Sequence, residues 1–270
     1  MKRISSIVFA LILMTVISTS CGKDEPVNPD ETFTVNGVTL KMVEVAGGTF
    51  TMGATAEQGG NVFDEEKPAH EVTLSSYCIG QTEVTQALWQ AVMGSNPSYF
   101  SSRKNYDTNL QRPVEFVSWD DCQTFITKLN QLTGKTFRLP TEAEWEFAAR
   151  GGNRSQGYKY SGSNNPDDVA WYRFNIPSLE GYGTTQTVAT KAPNELGLYD
   201  MSGNVWEWCQ DLYDRYSSDA QTNPVGPSTG YGRVFRGGSW LNDAYTCRVS
   251  PRAGYAPTKR TDCIGLRLAL

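Results

Sequence analysis

The stretch Gly197-Leu198-Tyr199-Asp200-Met201-Ser202-Gly203-Asn204-Val205-Trp206-Glu207-Trp208 constrains the fold more than any other part of this chain. Paired tryptophans are wasted on an exposed loop, because indole rings contribute through buried area. Carboxylates are costly in a core strand unless each finds a partner. A segment that carries both Trp206 and Trp208 together with Asp200 and Glu207 reads as a buried turn. Such a turn is organised around a cation or a dense hydrogen-bond network.

The start of the chain reads as an export signal. Lys2 and Arg3 precede an apolar run from Ile4 to Ile17, followed by Ser18-Thr19-Ser20-Cys21. A membrane-spanning helix needs about 20 apolar residues, so this run is read as a secretory h-region. A cysteine after small residues is similar to a bacterial lipoprotein signal, in which Cys21 is lipidated and becomes the mature N-terminus. Ser18 departs from that pattern, which usually has Leu there. Gly22-Lys23-Asp24-Glu25 is similar to the acidic tag of surface lipoproteins of the Bacteroides group. The expected division is a signal at 1–20, a lipidated Cys21 with a tether at 21–37, and one domain at 38–270.

Net charge is −5, from 24 basic and 29 acidic residues, and no basic cluster stands out, which argues against a nucleic-acid partner. The 25 glycines and 11% aromatics predict many turns pinned by aromatic packing and little long regular structure. With Cys21 lipidated, the remaining cysteines are Cys78, Cys122, Cys209, Cys247 and Cys263, which permit at most two bridges. No Cys-x-x-Cys spacing points to structural zinc.

Three helices are predicted. The first spans Glu83 to Met93 behind Thr82. The second follows a Ser118/Asp121 capping box, with Cys122, Phe125, Ile126, Leu129 and Leu132 on one face up to Gly134. The third follows Thr141, with Glu144 completing a second capping box before Gly151-Gly152. Short strands are expected at Lys41–Val45, Thr49–Gly53, His70–Leu74, Tyr77–Gly80, Val234–Gly237 and Ile264–Leu268. From Gly152 to Gly232 the chain is rich in Gly, Asn, Ser and Pro, and a stretch of that length needs pins such as Trp171, Trp206 and Trp208.

His70 is the only histidine, so a multi-histidine metal centre is excluded, and a triad hydrolase would have to use His70 itself. Its place before alternating Glu71-Val72-Thr73-Leu74 gives it a strand-edge role. Glu142, Glu144 and Glu146 sit at a helix N-terminus, where acidic side chains favour the dipole.

A succession of motifs carries a resemblance. In order they are Gly47-Gly48-Thr49-Phe50-Thr51-Met52-Gly53, Pro68-Ala69-His70-Glu71-Val72, Gln81-Thr82-Glu83-Val84-Thr85, Pro113-Val114-Glu115-Phe116-Val117-Ser118-Trp119, Arg138-Leu139-Pro140-Thr141-Glu142-Ala143-Glu144-Trp145-Glu146, Gly203-Asn204-Val205-Trp206-Glu207-Trp208, Arg236-Gly237-Gly238-Ser239-Trp240 and Gly265-Leu266-Arg267. Together they resemble the formylglycine-generating enzyme, or sulfatase-modifying factor, family. The resemblance implies a single α+β domain of C-type-lectin-like fold with little regular structure.

In the oxidase of that family a copper-binding cysteine pair follows the Gly-Gly-Ser-aromatic turn and converts a sulfatase cysteine to formylglycine. The resemblance places Asn242 at the first cysteine and Cys247 at the second. Two soft thiolates suit Cu(I), and an amide oxygen is a hard, neutral donor, so copper is not expected. Histidine-bound iron chemistry of related members fails on the single histidine.

The resemblance also implies a structural calcium held by Asp200, Gly203, Val205 and Glu207, two carboxylates and two carbonyls that suit a hard cation. It puts Trp206, Ser239, Trp240 and Arg252 in the cleft, and a Cys209–Cys247 disulfide is expected beside it. The function expected is that of a non-catalytic exported lipoprotein that binds a peptide, glycan or partner protein. Clustered aromatics (Tyr158, Tyr160, Trp171, Tyr172, Tyr182, Tyr213 and Tyr216) favour it. The alternatives are an active oxidase and a structural component of a surface or gliding machine. The location expected is the cell envelope, at the outer membrane through the lipid anchor.

Overall fold

The computed structural model describes residues 30–102, 109–177 and 183–270. The leader, Cys21 and Tyr182 lie outside the described residues. The strands are β1 (Glu31–Val35), β2 (Val38–Val45), β3 (Gly48–Met52), β4 (His70–Leu74), β5 (Tyr77–Gly80), β6 (Trp206–Leu212), β7 (Gln221–Thr222), β8 (Arg233–Arg236), β9 (Arg252–Tyr255) and β10 (Ile264–Leu266). The α-helices are α1 (Gln86–Met93), α2 (Tyr99–Ser102), α3 (Trp119–Thr133), α4 (Glu142–Ala149) and α5 (Pro166–Val169).

The first hairpin corrects the domain boundary. Asn36 and Gly37 both take positive φ, 47° and 83°, the geometry of a tight hairpin turn. They fold β1 back on β2 with Val35 opposite Val38. Residues 31–37 are therefore strand and turn, not tether. The alternation of Phe33 and Val35 with polar Thr32 and Thr34 carries that signal.

Three small sheets result, ordered β1-β2-β5, β3-β4-β7 and β10-β6-β8-β9. The last positions the site: β6 runs parallel to β10 and antiparallel to β8, which pairs antiparallel with β9. The Trp-rich turn thus leads straight into a central strand, a feature its glycines and asparagine hide in the sequence.

The predicted helices form, with adjusted starts. Helix α1 begins at Gln86 because the Thr85 hydroxyl, not that of Thr82, accepts from Leu88 N at 3.2 Å. Glu83 is thereby left outside the helix. Both expected capping boxes are present, Ser118/Asp121 on α3 and Thr141/Glu144 on α4. Cys122, Phe125, Ile126 and Leu129 of α3 are buried, whereas Leu132 turns to solvent.

Two principal cores lie between these elements. One joins α1 and α3 to β2 and β10, with Trp89 stacked on Phe125 at 4.7 Å. The other surrounds α4, which is buried on every side, with Trp145 and Phe147 at its centre. A helix buried all round ordinarily carries no charge. Here Glu142, Glu144 and Glu146 each meet an arginine.

Candidate functional site

The turn after β8 is built around glycine. Gly237 and Gly238 have φ of 101° and 74°, and a Cβ on Gly238 would come 2.6 Å from Cys247 Sγ. Ser239 then donates its hydroxyl to Asn242 Oδ1 at 2.7 Å. The amide oxygen at the position implied for the first cysteine is therefore already engaged.

Cys247 is fully buried. Its thiol points to the carbonyls of Ser239 at 3.9 Å and Asp243 at 3.8 Å. Burial pushes the thiol up to about 12, so it is protonated at neutral pH. A protonated thiol is a poor nucleophile. These residues do not fit a two-thiolate Cu(I) site, because the donor at the first position is an amide oxygen already bound by Ser239.

The expected disulfide does not form. Cys209 and Cys247 are both free thiols. Cys209 belongs to the core around α4, and Cys247 packs with Tyr160 and Val169 in a third cluster. Sequence proximity of each to a Trp-bearing turn gave no information about which side of the turn the sulfur faces.

The expected cleft residues divide between two places and are all buried. Trp240 donates its Nε1 to Asp262 O at 3.0 Å and packs edge-on against Phe100. Trp206 packs edge-on against Phe235. Arg252 belongs to a separate cluster at the start of α4.

The turn around Asp200 is charged and buried. Glu207 accepts from Arg267 at both oxygens, Nη2 at 2.7 Å and Nε at 2.9 and 3.1 Å, and from Trp145 Nε1 at 2.6 Å. Its lone pairs are spent, so it does not fit the role of cation ligand. Asp200 does fit: its Oδ2 accepts from Ala189 N at 2.7 Å, while Oδ1 is buried with no hydrogen-bond partner. Burial pushes Asp200 up to about 6. Glu83, freed by the late start of α1, accepts from Asn204 Nδ2 at 2.7 Å and Val205 N at 3.1 Å. Burial and the charges of Asp200 and Glu207 raise Glu83 well above the carboxylate range.

The second concave place was not foreseen. Arg252 of β9 forks onto Glu142 of α4, Nε to Oε1 at 2.6 Å and Nη2 to Oε2 at 2.7 Å. Arg236 adds a contact at 3.3 Å, and the Tyr216 hydroxyl donates to Glu142 at 3.0 Å. Burial alone would raise Glu142, but Arg252 and Arg236 hold it below its ordinary value. The guanidinium of Arg252 lies 4.0 Å from the Tyr216 ring, and the His70 ring packs on Tyr216 at 4.9 Å.

Glu142, Arg252, Tyr216 and His70 wall a cavity of about 240 Å³ that also exposes Asp211. Asp211 Oδ2 accepts from Glu142 N at 2.9 Å. Burial first, then the neighbouring Glu142 charge, push it up to about 7. A shallower hollow of about 460 Å³ lies on the other side of Asp214 and Arg215, edged by Tyr213, Tyr231 and Tyr255. No signal in the sequence joins Glu142 to Arg252, residues 110 positions apart.

Of the aromatics expected to bind, Tyr213 and Tyr216 line these hollows. Tyr160 is buried, and Trp171 faces Lys191 at 4.2 Å. Tyr172 donates to Asp167 at 2.9 Å.

Comparison with known proteins matches residues 30–270 to the model of the sulfatase-modifying factor enzyme 1-like domain. The chain is 36% identical to the chaperone protein LppX of Paenibacillus barcinonensis over 239 residues, covering 71% of this chain and 80% of that protein. It is 31% identical to the formylglycine-generating enzyme of Streptomyces coelicolor, covering 86% of this chain and 89% of that enzyme. Among solved structures, Treponema denticola variable protein 1 superposes with a TM-score of 0.78 at 36% identity, covering 90% of this chain and 99% of that one.

Proposed function

This chain belongs to the sulfatase-modifying factor family, and from that premise we propose that it is a binding member without the oxidase chemistry. The family's lectin-like α+β scaffold is present in full, and a scaffold does not fix a function. One observation carries the reading. Where the oxidase needs two reactive sulfurs, this chain has an amide bound to Ser239 and a Cys247 thiol with no exposed surface. A relative named as a chaperone, similar over most of its length, is consistent with a non-oxidising member.

The ligand in this reading is a peptide, glycan or partner protein, received on the hollows that flank Asp214 and Arg215. The leader pattern supports an exported lipoprotein anchored to the outer membrane through Cys21. Labelling with a radioactive fatty acid tests the anchor: Cys21→Ala should abolish incorporation and release the protein from the membrane fraction. Retained label would refute it.

A structural calcium remains part of this reading, with a changed ligand set. Asp200 Oδ1, with the carbonyls of Gly203 and Val205, would hold it, and Glu207 would stay with Arg267. The ion would supply counter-charge to Asp200 and Glu83.

Competition with a chromogenic Cu(I) chelator tests the central reading. The purified protein should leave the chelator complex intact. Stoichiometric copper withdrawal that disappears in Cys247→Ala would overturn it.

A further inference from the structure

We propose that the cavity between β6, α4 and the 214–227 loop is a recognition site for a lysine side chain of a polypeptide partner. The proposal rests on the binding reading above and gives it a ligand class. Asp211 is the residue that carries it. It is 4% exposed, and among the described residues its Oδ1 makes no hydrogen bond while Oδ2 is spent on Glu142 N. Asp211 lines an open cavity of about 240 Å³.

The other charges around it are matched. Glu142 and Arg252 form a two-point ion pair, and Arg252 also donates to Asp214 O at 2.6 Å. Asp214 and Arg215 stand exposed side by side at the mouth with opposite signs. His70 turns its Nδ1 to Pro68 O at 3.2 Å and its ring to Tyr216. Arg252 and Arg233 lend Asp211 some positive field, but neither makes an ion pair with it, so Asp211 is the carboxylate left with a free oxygen within reach of a ligand.

The walls select among cations. Met52, Leu212, Pro224 and Pro227 present apolar surface along the cavity. That surface suits a methylene stem, which long basic side chains bury while the charged head reaches a polar end. A single available oxygen suits a compact ammonium. A guanidinium gains most from a carboxylate that offers both oxygens, and Asp211 offers one. Aromatic stacking is not the device here, because Arg252 and His70 already pack against the Tyr216 ring.

The experiment is a titration of the full chain with the capped tripeptide acetyl-Gly-Lys-Gly-amide, followed by NMR. Parallel titrations use peptides with Arg or norleucine in place of Lys. Lysine should bind saturably, at least tenfold more tightly than norleucine, and more tightly than arginine. Asp211→Asn should weaken the lysine peptide at least tenfold and leave the norleucine peptide unchanged. Ser217→Trp, on the exposed rim, should block the lysine peptide too and guards against a misfolded Asp211 variant. Equal response to lysine and norleucine, or lysine binding untouched by either variant, would overturn the site. Such a failure would leave the reading of Cys247 standing, since the copper competition alone decides that.

Discussion

Arg267, near the end of the chain, grips Glu207 of β6 through Nη2 at 2.7 Å and Nε at 2.9 Å, with both side chains shut off from water. The same guanidinium reaches the carbonyls of Gly80 at 2.8 Å and Tyr199 at 2.7 Å. One residue just past the end of β10 thereby fastens β5, β6 and the Asp200 turn together. Breaking a buried pair leaves an uncompensated charge, which costs about 3–5 kcal/mol. Arg267→Ala is expected to lower unfolding free energy by that amount in urea titration. The double variant with Glu207→Gln should recover part of the loss, because the stranded charge is then gone.

The Asp200 turn makes a different prediction. Asp200, Glu83 and Glu207 face one buried cation, Arg267, and Asp200 Oδ1 is unclaimed. Exported calcium modules bind with dissociation constants of roughly 10⁻⁴–10⁻³ M, so about 5 mM calcium should raise the thermal midpoint by several degrees over protein in chelator. Asp200→Asn should remove most of that rise. An unchanged midpoint would mean that Arg267 alone balances the turn.

Asp211 governs a pH effect whose sign is fixed. Its folded value lies near 7 and its ordinary value is 3.8. Between those values the native state holds a proton that the unfolded chain has released. Stability from this group is therefore full below about pH 4 and falls as pH rises to about 7. Asp211→Asn abolishes the fall. The variant should match the parent near pH 4 and exceed it by up to about 4 kcal/mol near pH 8, read from denaturant unfolding at each pH.

Gly238 sets the approach of Cys247. An added Cβ would meet Cys247 Sγ at 2.6 Å and the α-carbon of the same residue at 2.9 Å, at a φ of 74°. Gly238→Ala should destabilise by about 2–3 kcal/mol through overpacking and backbone strain, read from denaturant unfolding. Removing the sulfur in Gly238→Ala/Cys247→Ala should restore only part of this, because the clash with the Cys247 backbone and the positive φ remain.

Much of this fold was legible because local chemistry and tertiary packing agree. The capping boxes at Ser118 and Thr141 mark α3 and α4, and the apolar face from Cys122 to Leu129 marks the core side of α3. Helix α1 starts late because Thr85 and Thr82 are equally good caps by composition, and only the use of Glu83 by Asn204 decides between them. Strand β6 escaped because its residues, Trp206 to Leu212, alternate carboxylates with indoles, and the partners that neutralise Glu207 lie at positions 145 and 267.

The candidate site was legible where it depends on residue type and hidden where it depends on distance along the chain. That an amide stands at the place of the first cysteine can be read directly from Asn242. The missing disulfide could not, because the sulfurs of Cys209 and Cys247 lie in separate clusters that no spacing rule distinguishes. The cavity at Asp211 joins β4, α4, β6 and β9, and no contiguous motif spans it.

The most direct test of the central claim is the product of incubation with a sulfatase peptide bearing the Cys-x-Pro-x-Arg motif. With Cu(I), oxygen and a thiol reductant supplied, mass spectrometry should find the peptide cysteine unchanged, because Cys247 is a buried neutral thiol beside an amide. Aldehyde formed in proportion to the protein, and lost in Cys247→Ala, would contradict the account.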